Sequence, residues 1–407
     1  MQSKSGVLSP VLSRRSALAI SVGGLATLAS GLVPIYDANR HARPGRWDEI
    51  VPADPVRLRQ DREAAMRSVP RRLTQPVVHD AQTFADWQDF RRRFVADDGR
   101  VIDNVNGGVS HSEGQGWGMM LAVASNDRAS FDLIADWTRR HLQIRPDALH
   151  AWRYVPRSQV PVADHNNATD GDLFIAGALL RAAWKWNRPD LADAAAEIAT
   201  DILQRLVREA GPRTVLLPGA VGFEQAHSLT INPSYYVLPL FEELASLRPS
   251  AAWGRLTEQG LALIDEGRFG RWRLSPDWLQ VDRSTGAISA DHQRPMRFSY
   301  DAIRIPLWLA WSGAGREVTG DFLAYWHRHQ PAPPAWIDLS NNSQAPYPAP
   351  PGMIAIGQIA SELAQAGQNK MNFAALPAVS ASPDYYSAAL TLLARCVCRE
   401  ASRVVTG

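Results

Sequence analysis

The segment Ser112-Glu113-Gly114-Gln115-Gly116-Trp117-Gly118 sets one carboxylic acid among three glycines and beside an indole. Two further acids sit in comparable settings, Asp170 in Ala168-Thr169-Asp170-Gly171-Asp172 and Asp301 in Tyr300-Asp301-Ala302-Ile303-Arg304. Several carboxyl groups beside tryptophan and tyrosine suit general acid/base cleavage of a sugar chain. One acid protonates the departing oxygen and another takes a proton from water.

Ser112 and Gln115 have the S-x-x-Q form of a capping box, which predicts Ser112 as N-cap and Glu113 in the first helical turn. Each glycine there costs about 0.8–1 kcal/mol relative to alanine. We expect them to let an object, such as a sugar ring, approach the helix start. A helix N-terminus favours the charged carboxylate, yet a general acid must hold its proton. Glu113 as an acid therefore predicts a second acid close to it in space. Thr169 and Asp172 read as a cap and its N3 partner, which makes Asp172 structural and leaves Asp170 as the functional acid. Arg304, three residues after Asp301, is expected to pair with it and keep it ionised.

These residues need a helical frame. Apolar residues recur at helical spacing over Thr83–Val95, Asp170–Trp186 and Ser382–Val404 among others, giving about eleven or twelve helices. Strand signals are sparse, Thr214–Leu217 being the best. The proline-rich stretch Pro331–Gly352 reads as a long loop. One all-α domain built from successive helix pairs fits this pattern.

The 407 residues are 45% hydrophobic and 21% charged with a net charge of +2, which disfavours nucleic acid as a partner. Arg14-Arg15 precedes an apolar run to Val33, shorter than the roughly 20 residues of a bilayer span. Residues 1–33 are therefore expected to be a cleaved twin-arginine export signal, residues 34–76 a tether, and residues 77–407 the catalytic domain. The expected location is the periplasm or the cell exterior, with no membrane span after signal removal. The spacing of Cys396 and Cys398 on a helix points their side chains apart, so no disulfide between them is expected. No metal-ligand cluster, phosphate loop or nucleophile elbow is recognisable, so no cofactor is expected.

The chain resembles glycoside hydrolase family 8 over about residues 80–400. The likeness rests on Ser112–Met120, on Ala168–Trp186, on Asn232-Pro233-Ser234-Tyr235-Tyr236 and on Tyr300–Arg304. Within the family it resembles the endoglucanases that accompany bacterial cellulose synthesis. The resemblance implies an (α/α)6 barrel and hydrolysis of β-1,4-glucan with inversion. It implies Glu113 as general acid, Asp301 as general base and Asp170 as an acid that contacts the sugar at the cleavage point. It also implies Trp152 as a stacking platform, with Tyr235, Tyr236, Tyr300 and Arg304 binding hydroxyls, and the cellulose synthase machinery as a partner. Xylan or chitosan cleavage, or glucan binding without catalysis, are the alternatives. Trp117 and Gly177 depart from the family pattern and are expected to line the cleft.

Overall fold

The computed structural model of the chain describes residues 55–70, 73, 81–365 and 376–405. The expected export signal lies outside the described residues. Part of the expected tether is helical: α1 (Pro55–Arg67) packs on the domain, its Ala65 carbonyl accepting from Trp184 Nε1 at 2.9 Å. Its composition is polar on average, which hides it from a reading by hydrophobic periodicity.

The remaining helices are α2 (Ala81–Phe94), α3 (Ser112–Ala124), α4 (Arg128–His141), α5 (Thr169–Trp186) and α6 (Pro189–Arg205). They continue as α7 (Leu238–Leu247), α8 (Ala251–Glu266), α9 (Ile305–Ser312), α10 (Arg316–Arg328), α11 (Pro351–Gln365) and α12 (Tyr385–Val405). Helices α3, α5, α7, α9, α11 and α12 each touch the next, and α12 returns to α3, closing an inner ring. The others pack outside it. This is the (α/α)6 barrel.

The division follows from sequence. Twelve of the thirteen residues of α3 are buried, as are the first fifteen of α5, so these helices carry apolar or small residues all round. The outer helices α4 and α6 are amphipathic and bury only one stripe. Where α3 and α5 cross, side chains are missing by design of the sequence. A Cβ on Gly116 would lie 2.7 Å from Phe174 Cβ, and one on Gly171 would lie 2.2 Å from Ser112 Oγ. The two helix starts are thus in backbone contact. Further along α5, Gly177 leaves room for Leu240 of α7.

At the other end of α5 a buried ion triad ties three inner helices together. Arg181 of α5 pairs with Glu243 of α7 at 2.6 Å and with Glu400 of α12 at 2.8 Å. Trp311 of α9 donates its indole N–H to Glu400 at 2.7 Å.

The strands are short and lie in the connections that lead into α3, α5, α7, α9 and α11. They are β1 (Ser110–His111), β2 (Arg153–Tyr154), β3 (Val207–Ala210), β4 (Arg213–Leu216), β5 (Ser228–Ile231), β6 (Leu279–Asp282), β7 (Ile288–Ala290), β8 (Arg297–Phe298) and β9 (Ile337–Asp338). All pair antiparallel, as β1–β2, β3–β4, β5–β6–β7 and β8–β9. Strand β3 begins soon after α6 stops at Arg205, and the chain turns back through Gly211 into β4. Among the described residues no helix is long and apolar enough to cross a membrane. Neither cysteine is in a disulfide, and burial pushes the Cys396 and Cys398 thiols up to about 11 and about 12.

Candidate active site

Glu113 occupies the first turn of α3 and Asp170 the first turn of α5. The close approach through Gly116 and Gly171 sets these two carboxyl groups side by side. Asp301 comes from the opposite side of the ring. It precedes a 3-10 turn, Ala302–Arg304, which runs directly into α9, with Pro306 in the first turn of that helix.

One guanidinium joins all three. Arg304 Nη1 donates to Glu113 Oε2 in a very short contact and to Asp170 Oδ2 at 3.1 Å. Its Nη2 donates to Asp301 Oδ1 at 2.6 Å and to Ser234 Oγ at 2.9 Å. The arginine side chain is only 1% exposed, Asp170 2% and Glu113 7%, whereas Asp301 is 17% exposed. Arg304 is thus not in the simple pair with Asp301 that its i, i+3 spacing suggests. It is the shared counterion of the cluster.

Three carboxyl groups face one cation in a buried space, and burial disfavours uncompensated charge. Burial first, and the Glu113 charge second, push the Asp170 carboxyl well above the usual carboxylate range. A hydrogen bond between the Asp170 and Glu113 carboxyls acts in the same direction. The protonated form of Asp170 is therefore favoured beside Glu113, and the two carboxyls titrate as a pair. This is the neighbouring acid that the position of Glu113 at a helix start demands. Burial opposes the charge of Arg304, but Glu113 and Asp301 outweigh it and hold the guanidinium firmly protonated.

The local hydrogen bonding departs from the sequence expectation. Helix α3 begins at Ser112, one residue earlier than a capping box requires, because Ser112 N–H is taken by Trp152 O at 3.0 Å. Gln115 turns outward, accepting from Val101 N at 2.6 Å and donating to Thr138 Oγ1 at 2.8 Å. Thr169 likewise lies inside α5, and its hydroxyl donates to Leu217 O at 2.6 Å. Asp172 is structural through other partners: it accepts from His150 N and Nδ1 and from Asn167 Nδ2, each at 2.9 Å. The α3 glycines meet protein, not open space. Gly114 faces Tyr385, Gly116 faces Phe174, and Gly118 faces Val101 and Ile134.

The two adjacent tyrosines separate. The ring of Tyr235 lies 5.8 Å from the Arg304 guanidinium carbon, and burial first and the Asp170 and Asp301 charges next raise its phenol well above the ordinary value. Tyr236 points the other way into the core. Its hydroxyl accepts from Leu216 N at 2.9 Å, and its ring fills the space left by Gly260. Tyr236, expected from the resemblance to bind hydroxyls, is thus buried with its own hydroxyl engaged by the backbone. Trp117 and Gly177 are also in the interior, Trp117 fully buried against Phe174, Tyr385 and Tyr386.

Trp152 is half-buried beside the start of α3. Its indole N–H donates to Asp164 at 2.7 Å and its ring stacks on His111 at 6.0 Å. Tyr300, also half-buried, packs edge-on against Tyr386. Residues that the sequence reading did not single out complete the surroundings. Tyr385 Oη lies 3.4 Å from Glu113 Oε1, and the Tyr386 hydroxyl bonds the Tyr300 carbonyl. Trp278 stacks flat on Phe223, 5.9 Å apart and 5° from parallel. Asn232 accepts from Ser234 N and Oγ and so holds the hydroxyl that meets Arg304. The Tyr-Tyr pair at the start of α12 lies far along the chain from the acids, and only the closed ring brings it to them.

A helical barrel with acids from three inner-ring helix starts converging on one arginine defines a class of carbohydrate-cleaving enzyme. The chain matches the family described as glycosyl hydrolases family 8 over residues 68–399, and it belongs to that family. It is a glycoside hydrolase. It is 46% identical over 309 residues to a probable endoglucanase of Novacetimonas hansenii, covering 75% of this chain and 88% of the relative. It is 39% identical over 272 residues to an endoglucanase of Cellulomonas uda, covering 66% of this chain and 75% of the relative. The solved endo-beta-1,4-glucanase CMCax from Acetobacter xylinum superposes with a TM-score of 0.73 at 43% identity, over 79% of this chain and 98% of that one.

Proposed function

We propose that the protein is an endo-β-1,4-glucanase that cleaves cellulose-type glucan with inversion. Glu113 is the general acid, Asp301 the general base, and Asp170 the acid that shares the Glu113 proton and contacts the sugar at the cleavage point. The observation that carries this reading is the bridging of Glu113 and Asp301 by separate nitrogens of Arg304, with Asp301 the most exposed of the three acids. The exposed carboxylate suits activation of a water from solvent. The buried, proton-sharing one suits donation to a glycosidic oxygen. Inversion requires acid and base to flank the bond, roughly 6.5–9.5 Å apart, so that a water fits. The likeness to proteins described as endoglucanases supports β-1,4-glucan as the polymer. Trp152 offers an indole face to a pyranose ring, and Tyr235, Tyr300 and Arg304 offer hydrogen bonds.

The remaining expectations belong to the same reading. Residues 1–33 are an export signal of twin-arginine type, residues 34–76 lead into the catalytic domain at 77–407, and the enzyme works in the periplasm or outside the cell. The resemblance to endoglucanases that accompany bacterial cellulose synthesis supports a place beside the cellulose synthase machinery.

The test is hydrolysis of a soluble cellulose derivative, xylan and chitosan by purified protein, counted as new reducing ends, with Glu113→Gln alongside. We expect cleavage of the cellulose derivative, and a loss of about 10²–10⁴-fold in rate for Glu113→Gln with glucan binding kept. NMR of the first product formed should show the α-anomer. An initial β-product would refute inversion, and an active Glu113→Gln enzyme would refute the acid assignment.

A further inference from the structure

The three acids on Arg304 are not the whole of the charge at this site. Asp277 is buried just before β6, and a single oxygen of its carboxylate, Oδ1, accepts two backbone amides. One is Ser299 N at 3.1 Å and the other Ala302 N at 2.8 Å. These are the two residues that bracket Tyr300 and Asp301. The second oxygen, Oδ2, takes the Ser299 hydroxyl in a very short contact.

Asp277 is itself held from both sides. Its own N–H donates to Arg297 O at 2.8 Å, and the next residue, Trp278, lies stacked between Phe223 and the Arg294 guanidinium. The turn carrying Asp301 is therefore pinned to a fixed post on another loop. The Arg304 side chain reaches that turn through the Asp301 carboxylate and, at 3.3 Å, its carbonyl.

We propose that Asp277 is a positioning residue for Asp301: by gripping both ends of the Ser299–Ala302 turn through one oxygen, it fixes the direction in which the Asp301 carboxylate faces Glu113. The proposal rests on the reading of Asp301 as the base. The two acids are close enough to sense each other. Burial first, and the Asp301 charge second, push the Asp277 carboxyl up to about 7 against the hydrogen bonds it accepts. The grip matters because a general base displaced by about 1 Å can lose roughly 10²-fold in rate.

The chemistry separates grip from charge. Asp277→Asn keeps an oxygen that can accept both amides and removes the charge. Asp277→Leu fills a similar volume and accepts neither. We expect kcat on a soluble cellulose derivative to fall by about 10–100-fold in Asp277→Leu with KM within twofold of wild type. In Asp277→Asn, kcat should return to within a few-fold of wild type. Wild-type kcat in Asp277→Leu, or equal losses in the Leu and Asn variants, would overturn the proposal. If Asp277→Leu does not fold, Ser299→Ala decides, since it loses only the Oδ2 contact. A kcat lowered a few-fold at unchanged KM is then expected, and an unchanged kcat overturns the proposal. Asp301→Ala is run in parallel. Full activity there would remove the base assignment itself, whereas its inactivity beside a fully active Asp277→Leu would remove only the role of Asp277.

Discussion

Gly171 stands directly over Ser112: a Cβ at Gly171 would lie 2.2 Å from the serine hydroxyl oxygen and 2.8 Å from the backbone nitrogen of Glu113. No side chain fits there, and the contact is what sets the Glu113 and Asp170 carboxyls side by side at the first turns of α3 and α5. Gly171→Ala must push the two helix starts apart. We expect a stability loss of about 1–3 kcal/mol, as for other overpacked interiors. A fall in kcat should accompany it. Calorimetry beside a reducing-sugar assay checks both, and an alanine enzyme with the melting temperature and rate of wild type would contradict this packing.

Arg304 is the one cation shared by three acids, so its removal is costlier than that of an ordinary ion pair. Arg304→Met leaves Glu113, Asp170 and Asp301 facing one another without a cation. A buried group left uncompensated in this way typically costs about 3–5 kcal/mol. The deficit should be largest at neutral pH and shrink in acid, where the carboxyls take up protons. Melting temperatures of wild type and variant compared at pH 5 and pH 7.5 measure this. A deficit that does not change with pH would argue for lost packing instead.

Asp170 and Asp277 both bind protons more tightly in the folded chain than an ordinary carboxyl does. Their protonated forms favour the fold, fully below the unfolded value near 3.8, and this contribution is lost as pH rises through the folded value. For Asp277 the window runs from 3.8 to about 7. Asp170→Asn should therefore be more stable than wild type at neutral pH while losing activity. Denaturant titrations across that pH range would show the difference. A less stable variant at pH 7 would mean that the Asp170 charge is better compensated than its burial implies.

The adjacent tyrosines give a paired test. Tyr236→Phe loses the bond to Leu216 N, and we expect a cost of about 1 kcal/mol with unchanged kcat. Tyr235→Phe alters the wall beside Arg304 and should lower kcat or raise KM with little effect on stability. Reversed outcomes would place Tyr236, not Tyr235, in the cleft.

How far the site could be read from sequence depended on distance along the chain. Glu113, Asp170 and Asp301 announced themselves because glycine, an aromatic ring or an arginine stood within three residues of each. The helical frame was legible from apolar spacing, except in α1, whose surface is mostly polar. The purpose of the α3 glycines was not legible, because the partner they admit, Phe174 or Tyr385, lies elsewhere in the sequence. The caps misled for a related reason. Ser112 and Thr169 have the grammar of N-caps, but neighbouring loops claim those backbone groups first and start each helix one residue sooner. Asp277 carried no local signal at all. Its neighbours Pro276 and Trp278 describe an ordinary turn, and its meaning comes from amides more than twenty residues away.

Helix α5 starts at one pole of the barrel with Asp170 and, three turns on, is moored at the other by Arg181 to Glu243 and Glu400. An arginine so deep in the interior cannot be left without its anions. The height of Asp170 in the barrel is thereby set in part by a glutamate late in the sequence, on the far side of the molecule. Shortening or fusing the tail should reach the cutting edge without touching it.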